Sequence, residues 1–144
     1  MSKKITARAV IIKDNEILLL YRHRLKKNKE KEYYAFPGGH LEKDETKEEC
    51  VIREVKEELN IDIKIINFLG IVEKKHKIDY IYNCEWISGN LLLGGEEKEQ
   101  NNPNNYYEIQ KIKLDDLNNI KLYPENLEII KKALLERNNK WKII

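Results

Sequence analysis

The sequence contains few cysteines and no long hydrophobic run. Cys50 and Cys84 are its only cysteines, and their separation does not match the ligand spacing of a metal site, so we expect two reduced, buried thiols. No apolar stretch approaches the ~20 residues that cross a bilayer. The opening residues, MSKKITARAV, lack the apolar core of a signal peptide. These absences predict a cytoplasmic protein that does not act at a membrane.

The sequence also lacks a strong excess of one charge. Charged residues make up 36% of the chain, yet the net charge is only +2 at pH 7, so no broad surface for a polyanion is implied. We therefore expect no nucleic-acid polymer among its partners, although the composition leaves local positive patches open. Internal repeats, linkers and low-complexity segments are absent as well. The 144 residues suit a single domain spanning residues 1–144, present as a monomer or a homodimer.

Strand-like segments open the chain. ITARAVIIKDNEILLLYR predicts two strands joined by a tight turn at Asp14–Asn15, and the apolar run from Ile17 to Leu20 suits a strand covered on both faces. The following RHRLKKNKEKE is interpreted as a mobile, charged connection. YYAF then predicts a short strand that stops at Pro37-Gly38-Gly39, where the backbone can approach a ligand closely.

Two helices and further strands follow. Val51, Ile52, Val55 and Leu59 fall on one side of a helix and predict a helix over Asp44–Leu59, ended by Asn60. Three later segments, IDIKIINFLGIVEKK, KIDYIYNCEWIS and YYEIQKIKL, predict strands, and PENLEIIKKALLERNN predicts a final helix. Because strands and helices are mixed along the chain, the fold class is α/β or α+β with a mixed sheet.

A cluster of glutamates lies on the first predicted helix. Glu54, Glu57 and Glu58 stand at i, i+3 and i+4, so they share one helix face that borders the apolar side. Three carboxylates there would repel one another and raise their own pKa values unless a cation joined them. Oxygen ligands of this kind suit Mg²⁺ or Mn²⁺. The alternative is an ordinary solvated helix with many charges.

The glutamates also belong to a longer pattern, G-x5-E-x7-R-E-U-x-E-E-x-G-U, in which U is a bulky aliphatic residue. It is filled by Gly39, Glu45, Arg53, Glu54, Val55, Glu57, Glu58, Asn60 and Ile61, with Asn60 where the last glycine would stand. This pattern resembles the Nudix box. The resemblance implies a Nudix-type α/β/α sandwich, with a mixed sheet between the box helix and a C-terminal helix. It also implies hydrolysis, dependent on Mg²⁺ or Mn²⁺, of a nucleoside diphosphate linked to another moiety.

The resemblance implies a role for each part of the box. The implied metal ligands are Glu54, Glu57, Glu58 and a backbone carbonyl at Gly38. Arg53 is expected to pair with Glu45 and to hold the glutamates in place, because its planar fork matches carboxylate geometry. Gly39 is expected to let the backbone come close to the metal and the substrate.

The general base is open between two positions, because Nudix members use either a box glutamate or a glutamate from a later loop. Here the candidates are Glu54 and the carboxylates of GGEEKEQ, which are Glu96, Glu97 and Glu99. Glu97 is favoured within the loop, and a solvated hairpin tip is the alternative. The implied catalytic set is therefore Arg53, Glu54, Glu57 and Glu97.

Substrate contacts are expected outside the box. Arg22 and Arg24 follow an apolar strand where Nudix members often place a phosphate-contacting residue, and Phe36 precedes the glycine turn as a candidate for the nucleotide pocket. A solvated strand end and core packing are the respective alternatives.

The resemblance leaves the substrate class open. ADP-ribose-cleaving members tend to carry a proline after the box, and none occurs here between Pro37 and Pro103. The preferred substrate is therefore a nucleoside triphosphate, as for MutT-type members, with dinucleoside polyphosphates or ADP-sugars as alternatives. From another class, the chain would be a non-catalytic regulatory module that binds a nucleotide.

Overall fold

A computed structural model of the chain describes residues 2–94, 101–123 and 126–142, the last five through their backbone only. Within these ranges it contains eight strands, two α-helices and one 3₁₀ helix. The strands are β1 Lys4–Lys13, β2 Glu16–Lys26, β3 Lys29–Ala35, β4 Gly38–His40, β5 Ile61–Glu73, β6 Lys77–Gly89, β7 Asn105–Lys113 and β8 Leu122–Tyr123. The helices are α1 Lys47–Leu59, the 3₁₀ helix Leu114–Asn119 and α2 Leu127–Lys142.

Two tight hairpins organise the first half of the chain. Asp14 and Asn15 both have positive φ, 53° and 62°, and join β1 to β2 as predicted. Lys27 and Asn28 repeat this geometry with φ of 52° and 60°, joining β2 to β3. The interpretation of RHRLKKNKEKE as a mobile connection is therefore wrong. Turns with two positive φ values match the twist of paired strands, and asparagine tolerates that conformation well.

The strands form one mixed sheet in the order β5-β6-β1-β2-β3-β8, with β4 beside β1 and β7 beside β2. The pairs β1–β6 and β3–β8 are parallel, and the other pairs are antiparallel. β1 and β2 pair only next to their turn, at Ile12↔Ile17 and Lys13↔Glu16. Beyond that point β1 continues with β4, and β2 continues with β7. The sheet therefore opens between β1 and β2.

Each face of the sheet packs against one α-helix. Leu18 and Leu20 of β2 belong to the core on the α1 side, whereas Ile17 and Leu19 belong to the core on the α2 side. Val51, Val55 and Leu59 of α1 complete the first core, and Ile129, Ile130 and Ala133 of α2 join the second. Ile52, expected on the apolar side of α1, is instead 42% exposed, because it lies at the edge of that side. The predicted α+β class, with a mixed sheet between the box helix and the C-terminal helix, is confirmed.

The helix α1 begins three residues later than predicted. Asp44 has a φ of 63°, which a helix interior does not permit. Thr46 is the N-cap, and a capping box links its side chain and backbone to Glu49, satisfying two otherwise unpaired donors. Asn60 ends the helix with a φ of 61°, as predicted. Glu45 consequently precedes the helix, and its side chain lies beside Arg53 of the helix.

Both cysteines are free and buried, as expected. Burial raises the pKa of the Cys50 thiol and of the Cys84 thiol to about 12, so neither is a reactive thiolate near neutral pH. In the part of the chain that the structure describes, neither α-helix has the length and apolar character needed to cross a bilayer.

Candidate active site

A cavity of about 620 Å³ opens where β1 and β2 separate. Its walls come from α1, from the segment before it and from every strand except β5. Carboxylates from α1 and cations from the strands line the same space; the charged lining residues are Arg8, Arg22, Glu42, Arg53, Glu54, Glu57, Glu58 and Lys77. The cavity therefore combines groups that bind cations with groups that bind anions.

The glycine turn and α1 are fitted closely together. The buried carboxylate of Glu58 accepts a hydrogen bond of 2.7 Å from the Gly38 amide. A Cβ on Gly39 would lie 2.4 Å from the Glu54 carboxyl carbon. Gly38 has a φ of 147°, and a Cβ there would lie 2.2 Å from the Ala7 carbonyl. Both glycines are needed for close backbone approach, as expected for this turn.

Arg53 is the centre of the carboxylate network. It donates from Nε and Nη2 to the two Glu45 oxygens at 2.6 and 3.0 Å, to Glu54 at 2.9 Å and to Glu57 at 3.2 Å. A further bond reaches the His40 carbonyl at 3.1 Å. The Glu45 carboxylate and the other glutamates raise the pKa of Arg53, and the Arg53 guanidinium lowers the pKa of Glu45 to about 2.

The carboxylates fit a divalent ion that is only partly enclosed by protein. Among the described residues, no three His, Cys, Asp or Glu side chains converge enough to hold an ion by themselves. Mg²⁺ usually retains waters and takes one or two carboxylates together with substrate phosphates. Because Gly39 has no side chain, the Glu54 carboxylate lies directly against the backbone at the cavity wall. Its oxygens are therefore placed beside the backbone of the glycine turn. The donor set therefore suits Mg²⁺ or Mn²⁺ bound together with a phosphate.

A second network, missed from the sequence, holds cations at the cavity. Asp79 is fully buried and accepts from Arg8 Nε at 3.1 Å and from the Thr6 hydroxyl, while Lys77 Nζ lies 3.8 Å away. Arg8 also donates to the Phe36 carbonyl at 2.9 Å, which ties β1 to the glycine turn. Burial and the neighbouring Arg8 lower the pKa of Lys77. These crowded cations favour an anionic ligand.

The parallel pairing of β1 and β6 assembles this network, with Thr6 opposite Asp79. Arg8 and Asp79 are 71 residues apart in sequence, and strand pairing across that distance does not follow from local patterns. The sequence nevertheless marks both residues as unusual. Arg8 and Asp79 are charged residues within largely apolar strands, and such a residue needs a buried partner or a functional role.

The predicted substrate residues separate into two groups. Arg22 lines the cavity, with its guanidinium 4.5 Å from the centre of the Tyr107 ring and a 3.2 Å bond to Asn105. Arg24 lies in a different depression. Phe36 is fully buried in the core on the α2 side, so its ring does not line the cavity.

The loop candidate for the general base, Glu97, lies outside the described residues and stays a prediction. The described chain passes close to α1 before it: the Gly94 amide donates to the Glu58 carbonyl at 3.1 Å, and a Cβ on Gly94 would lie 2.5 Å from the Glu57 carbonyl. Gly94 thus covers backbone carbonyls that the end of a helix leaves unpaired.

Fold and site together define an α/β/α protein whose cavity brings metal-type oxygen ligands from a helix to cationic groups from strands. The family model of the NUDIX domain matches residues 3–135. The chain therefore belongs to the NUDIX family, and the resemblance of its box is confirmed.

Two curated proteins are similar to part of the chain. The chain is 38% identical over 96 residues to an ADP-ribose pyrophosphatase of Methanocaldococcus jannaschii, an alignment covering 62% of this chain and 55% of that protein. It is 34% identical over 70 residues to an 8-oxo-dGTP diphosphatase of Proteus vulgaris, covering 49% of this chain and 62% of that protein. The chain thus spans less than two thirds of the length of these relatives.

Solved structures share the fold at lower identity. A NUDIX hydrolase from Nitrosomonas europaea superposes with a TM-score of 0.71 at 15% identity, covering 96% of this chain and 74% of that one. An ADP-ribose pyrophosphatase from Streptococcus suis gives a TM-score of 0.66 at 21% identity, covering 92% and 90%. At these identities the likeness establishes the fold alone.

Proposed function

We propose that this protein hydrolyses a phosphoanhydride bond of a nucleotide in a reaction that requires a divalent metal ion. The observation that carries the proposal is a single cavity lined by the carboxylates of Glu54, Glu57 and Glu58 and by the cations Arg8 and Lys77. A diphosphate bound with Mg²⁺ needs both kinds of group. An ordinary charged helix would not account for the cations on the neighbouring strands.

Residues of α1 would hold the metal. Glu54, Glu57 and Glu58 supply carboxylate oxygens, and the glycine turn brings backbone beside them. A bound divalent ion would neutralise phosphate charge and lower the pKa of a coordinated water. Arg53, fixed by Glu45, keeps Glu54 and Glu57 in position. Proton acceptance from the attacking water is assigned to Glu54 or, as the loop alternative, to Glu97.

Residues of the strands would hold the phosphates. Arg8 and Lys77 stand over the buried Asp79, which fixes their position and leaves donors for phosphate oxygens. Arg22 adds a guanidinium whose flat side rests on Tyr107, an arrangement suited to orienting a charged fork. Cations from three strands favour a nucleoside triphosphate as the substrate, with pyrophosphate as a product. ADP-ribose is the second candidate, because the 38%-identical relative is named as its pyrophosphatase.

The test is a panel of purified nucleotides, incubated with and without Mg²⁺ and analysed for products by ion-exchange chromatography. The panel contains unmodified and oxidised nucleoside triphosphates, dinucleoside polyphosphates and ADP-ribose. Turnover of triphosphates to monophosphates and pyrophosphate, abolished by chelation, is expected. Glu57→Gln should lose activity by orders of magnitude, while the control Glu128→Gln on α2, an exposed side chain paired with Lys131, should keep it.

Three outcomes would contradict parts of this proposal. A clear preference for ADP-ribose would overturn the substrate assignment and leave the reaction class intact. Full activity of Glu57→Gln at saturating Mg²⁺ would remove that residue from the metal site. Nucleotide binding without any turnover would favour a regulatory module over an enzyme.

A further inference from the structure

The turn end of the β2–β3 hairpin, residues 24–31, has one face whose charged residues are all positive. Side chains alternate across a strand, and residues opposite each other in a ladder share a face. The pairs Arg24↔Lys31 and Lys26↔Lys29 therefore project together, and the turn residue Lys27 joins them. These residues line one depression of about 310 Å³, which we call the cationic face: Arg24, Lys26, Lys27, Lys29 and Lys31.

The acidic residues of the hairpin lie on its opposite face and are already paired. Glu30 lies 2.6 Å from His23 Nε2, and Glu32 accepts from the Tyr21 hydroxyl at 2.6 Å. Across the described ranges, no member of the cationic face forms an ion pair. The neighbouring strand β7 adds Asn105 opposite Arg24 and no carboxylate on that side.

This arrangement is unfavourable for the fold alone. Like charges directly opposite each other in a ladder are destabilising by a few tenths of a kcal/mol or more, and Arg24–Lys31 and Lys26–Lys29 are two such pairs in succession. A solvated hairpin would gain from exchanging one lysine of each pair for a glutamate. An anionic ligand that covers the face explains why the charges are kept together.

The cationic face continues directly from the catalytic cavity. Arg22 and Tyr33 form the next rung of the same ladder face, and both line the cavity. Successive rungs lie about 6.8 Å apart, close to the repeat of an extended single nucleic-acid strand. The face therefore reaches about 14 Å beyond Arg22, which is room for roughly two further nucleotides.

We propose that the cationic face binds the phosphodiester backbone of a single-stranded oligonucleotide whose 5′-terminal triphosphate occupies the cavity. The inference rests on the proposed function and extends its substrate from a nucleoside triphosphate to a chain that begins with one. Tyr33 and Tyr107 at the cavity offer rings on which a base can stack, the usual companion of a cationic groove in single-strand binding.

The reaction is the same hydrolysis. The oxygen of water bonds to one of the two phosphorus atoms beside the α–β bridging oxygen, and that phosphorus–oxygen bond breaks. A 5′-monophosphorylated oligonucleotide, pyrophosphate and one proton are released. The low net charge predicted no nucleic-acid partner; the charges nevertheless concentrate locally, because strand alternation separates the lysines from the glutamates.

Binding is measured by fluorescence anisotropy with a 5′-triphosphorylated octanucleotide in the absence of divalent metal. The binding constant should fall as the salt concentration rises. If the four cations of the two ladder pairs contact phosphates, they contribute about 2.8 to the slope of log K against log salt concentration, which lowers the affinity roughly 50-fold between 50 and 200 mM salt. The variant Lys26→Gln/Lys29→Gln should reduce the slope by about 1.4. The control Lys64→Gln/Lys113→Gln removes two exposed lysines from β5 and β7 and should leave it unchanged.

Turnover supplies the second arm. With Mg²⁺, the wild-type protein should cleave the octanucleotide with a catalytic efficiency about tenfold above that for the mononucleotide triphosphate at low salt. The double variant should lose this advantage while its mononucleotide turnover stays unchanged, and its unfolding midpoint should be equal or slightly higher because one like-charge pair is removed. Equal salt slopes for variant and wild type would overturn the inference, and so would equally tight binding of inorganic polyphosphate or of anionic lipid vesicles. Absence of turnover of every nucleotide in the panel and of the octanucleotide would refute the proposed function, while the binding arm would still test the cationic face.

Discussion

Glu45→Gln tests the support of the site without touching a proposed metal ligand. The substitution keeps the shape of the side chain and one acceptor oxygen, and removes the charge and the second charge-assisted bond to Arg53. The wild-type contacts are short, 2.6 and 3.0 Å, and the pair is shielded, with the side chains of Glu45 and Arg53 only 12% and 24% exposed. The interaction is therefore stronger than a surface ion pair.

The expected loss of stability is about 2 kcal/mol, because a hydrogen bond to a charged group contributes roughly 1.5–3 kcal/mol and the amide retains part of it. Arg53 keeps its contacts to Glu54 and Glu57, so the full 3–5 kcal/mol of breaking a buried pair is not expected. For a chain of this size, about 2 kcal/mol corresponds to a fall in Tm of roughly 6 °C.

The same difference should depend on pH in a defined direction. The pKa of Glu45 falls from 4.5 to about 2 on folding, so the folded protein binds its proton more weakly. The contribution is fully present above pH 4.5 and is lost as the pH falls towards 2. Glutamine does not titrate. The difference in unfolding free energy between wild type and Glu45→Gln should therefore be constant above about pH 5.5. It should decrease as the pH falls below 4.5.

Urea unfolding at pH 7, 5 and 3, followed by circular dichroism, measures the gap. Glu42→Gln is the matched control, because Glu42 lies 3.6 Å from Arg53 and its side chain is 67% exposed, so its loss should stay below about 0.5 kcal/mol. Equal midpoints for Glu45→Gln and Glu42→Gln at pH 7 would refute the reasoning. A gap that widens at pH 3 would contradict the sign of the pKa shift.

The remaining predictions concern the cavity walls. Gly39→Ala places a Cβ 2.4 Å from the Glu54 carboxyl carbon, so kcat should fall at least about tenfold and stability by about 1–3 kcal/mol; unchanged steady-state kinetics would contradict the close fit. Asp79→Asn removes the buried charge beneath Arg8 and Lys77, so urea unfolding should show a loss of about 3 kcal/mol and KM should rise more than kcat falls. Arg22→Lys keeps the charge and loses the planar fork over Tyr107, so KM for triphosphates should rise several-fold at unchanged stability, and an unchanged KM would remove Arg22 from the phosphate site.

The α1 side of the site was predictable because its residues are close in sequence. Helical spacing places Glu54, Glu57 and Glu58 on one face whatever the rest of the fold does, and Arg53 is one residue from Glu54. The structure adds a detail that spacing alone could not supply. The Thr46 cap starts the helix late, so Glu45 reaches Arg53 from the segment that precedes the helix.

The strand side was not predictable, because it depends on which strands become neighbours. Arg8 and Asp79 meet only through the parallel pairing of β1 with β6, and parallel pairing needs a long crossover that leaves no local sequence signal. Phe36 shows the opposite case, in which a residue close to the site in sequence does not line it. It lies next to the glycine turn in sequence, yet alternation along the chain sends its ring into the core and leaves only its carbonyl near the site.

Net charge does not describe how charges are distributed over the surface, for a related physical reason. The alternating segment KNKEKE contributes lysines and glutamates that nearly cancel in a sum, but a strand places alternate residues on opposite faces. The near cancellation therefore becomes a separation once Lys27 and Asn28 close the hairpin. The register of the hairpin also matters: a slip of one residue would set Glu30 and Lys31 on the reverse faces. Hairpin register, fixed by the turn, thus decides whether the exit from the cavity is positively charged.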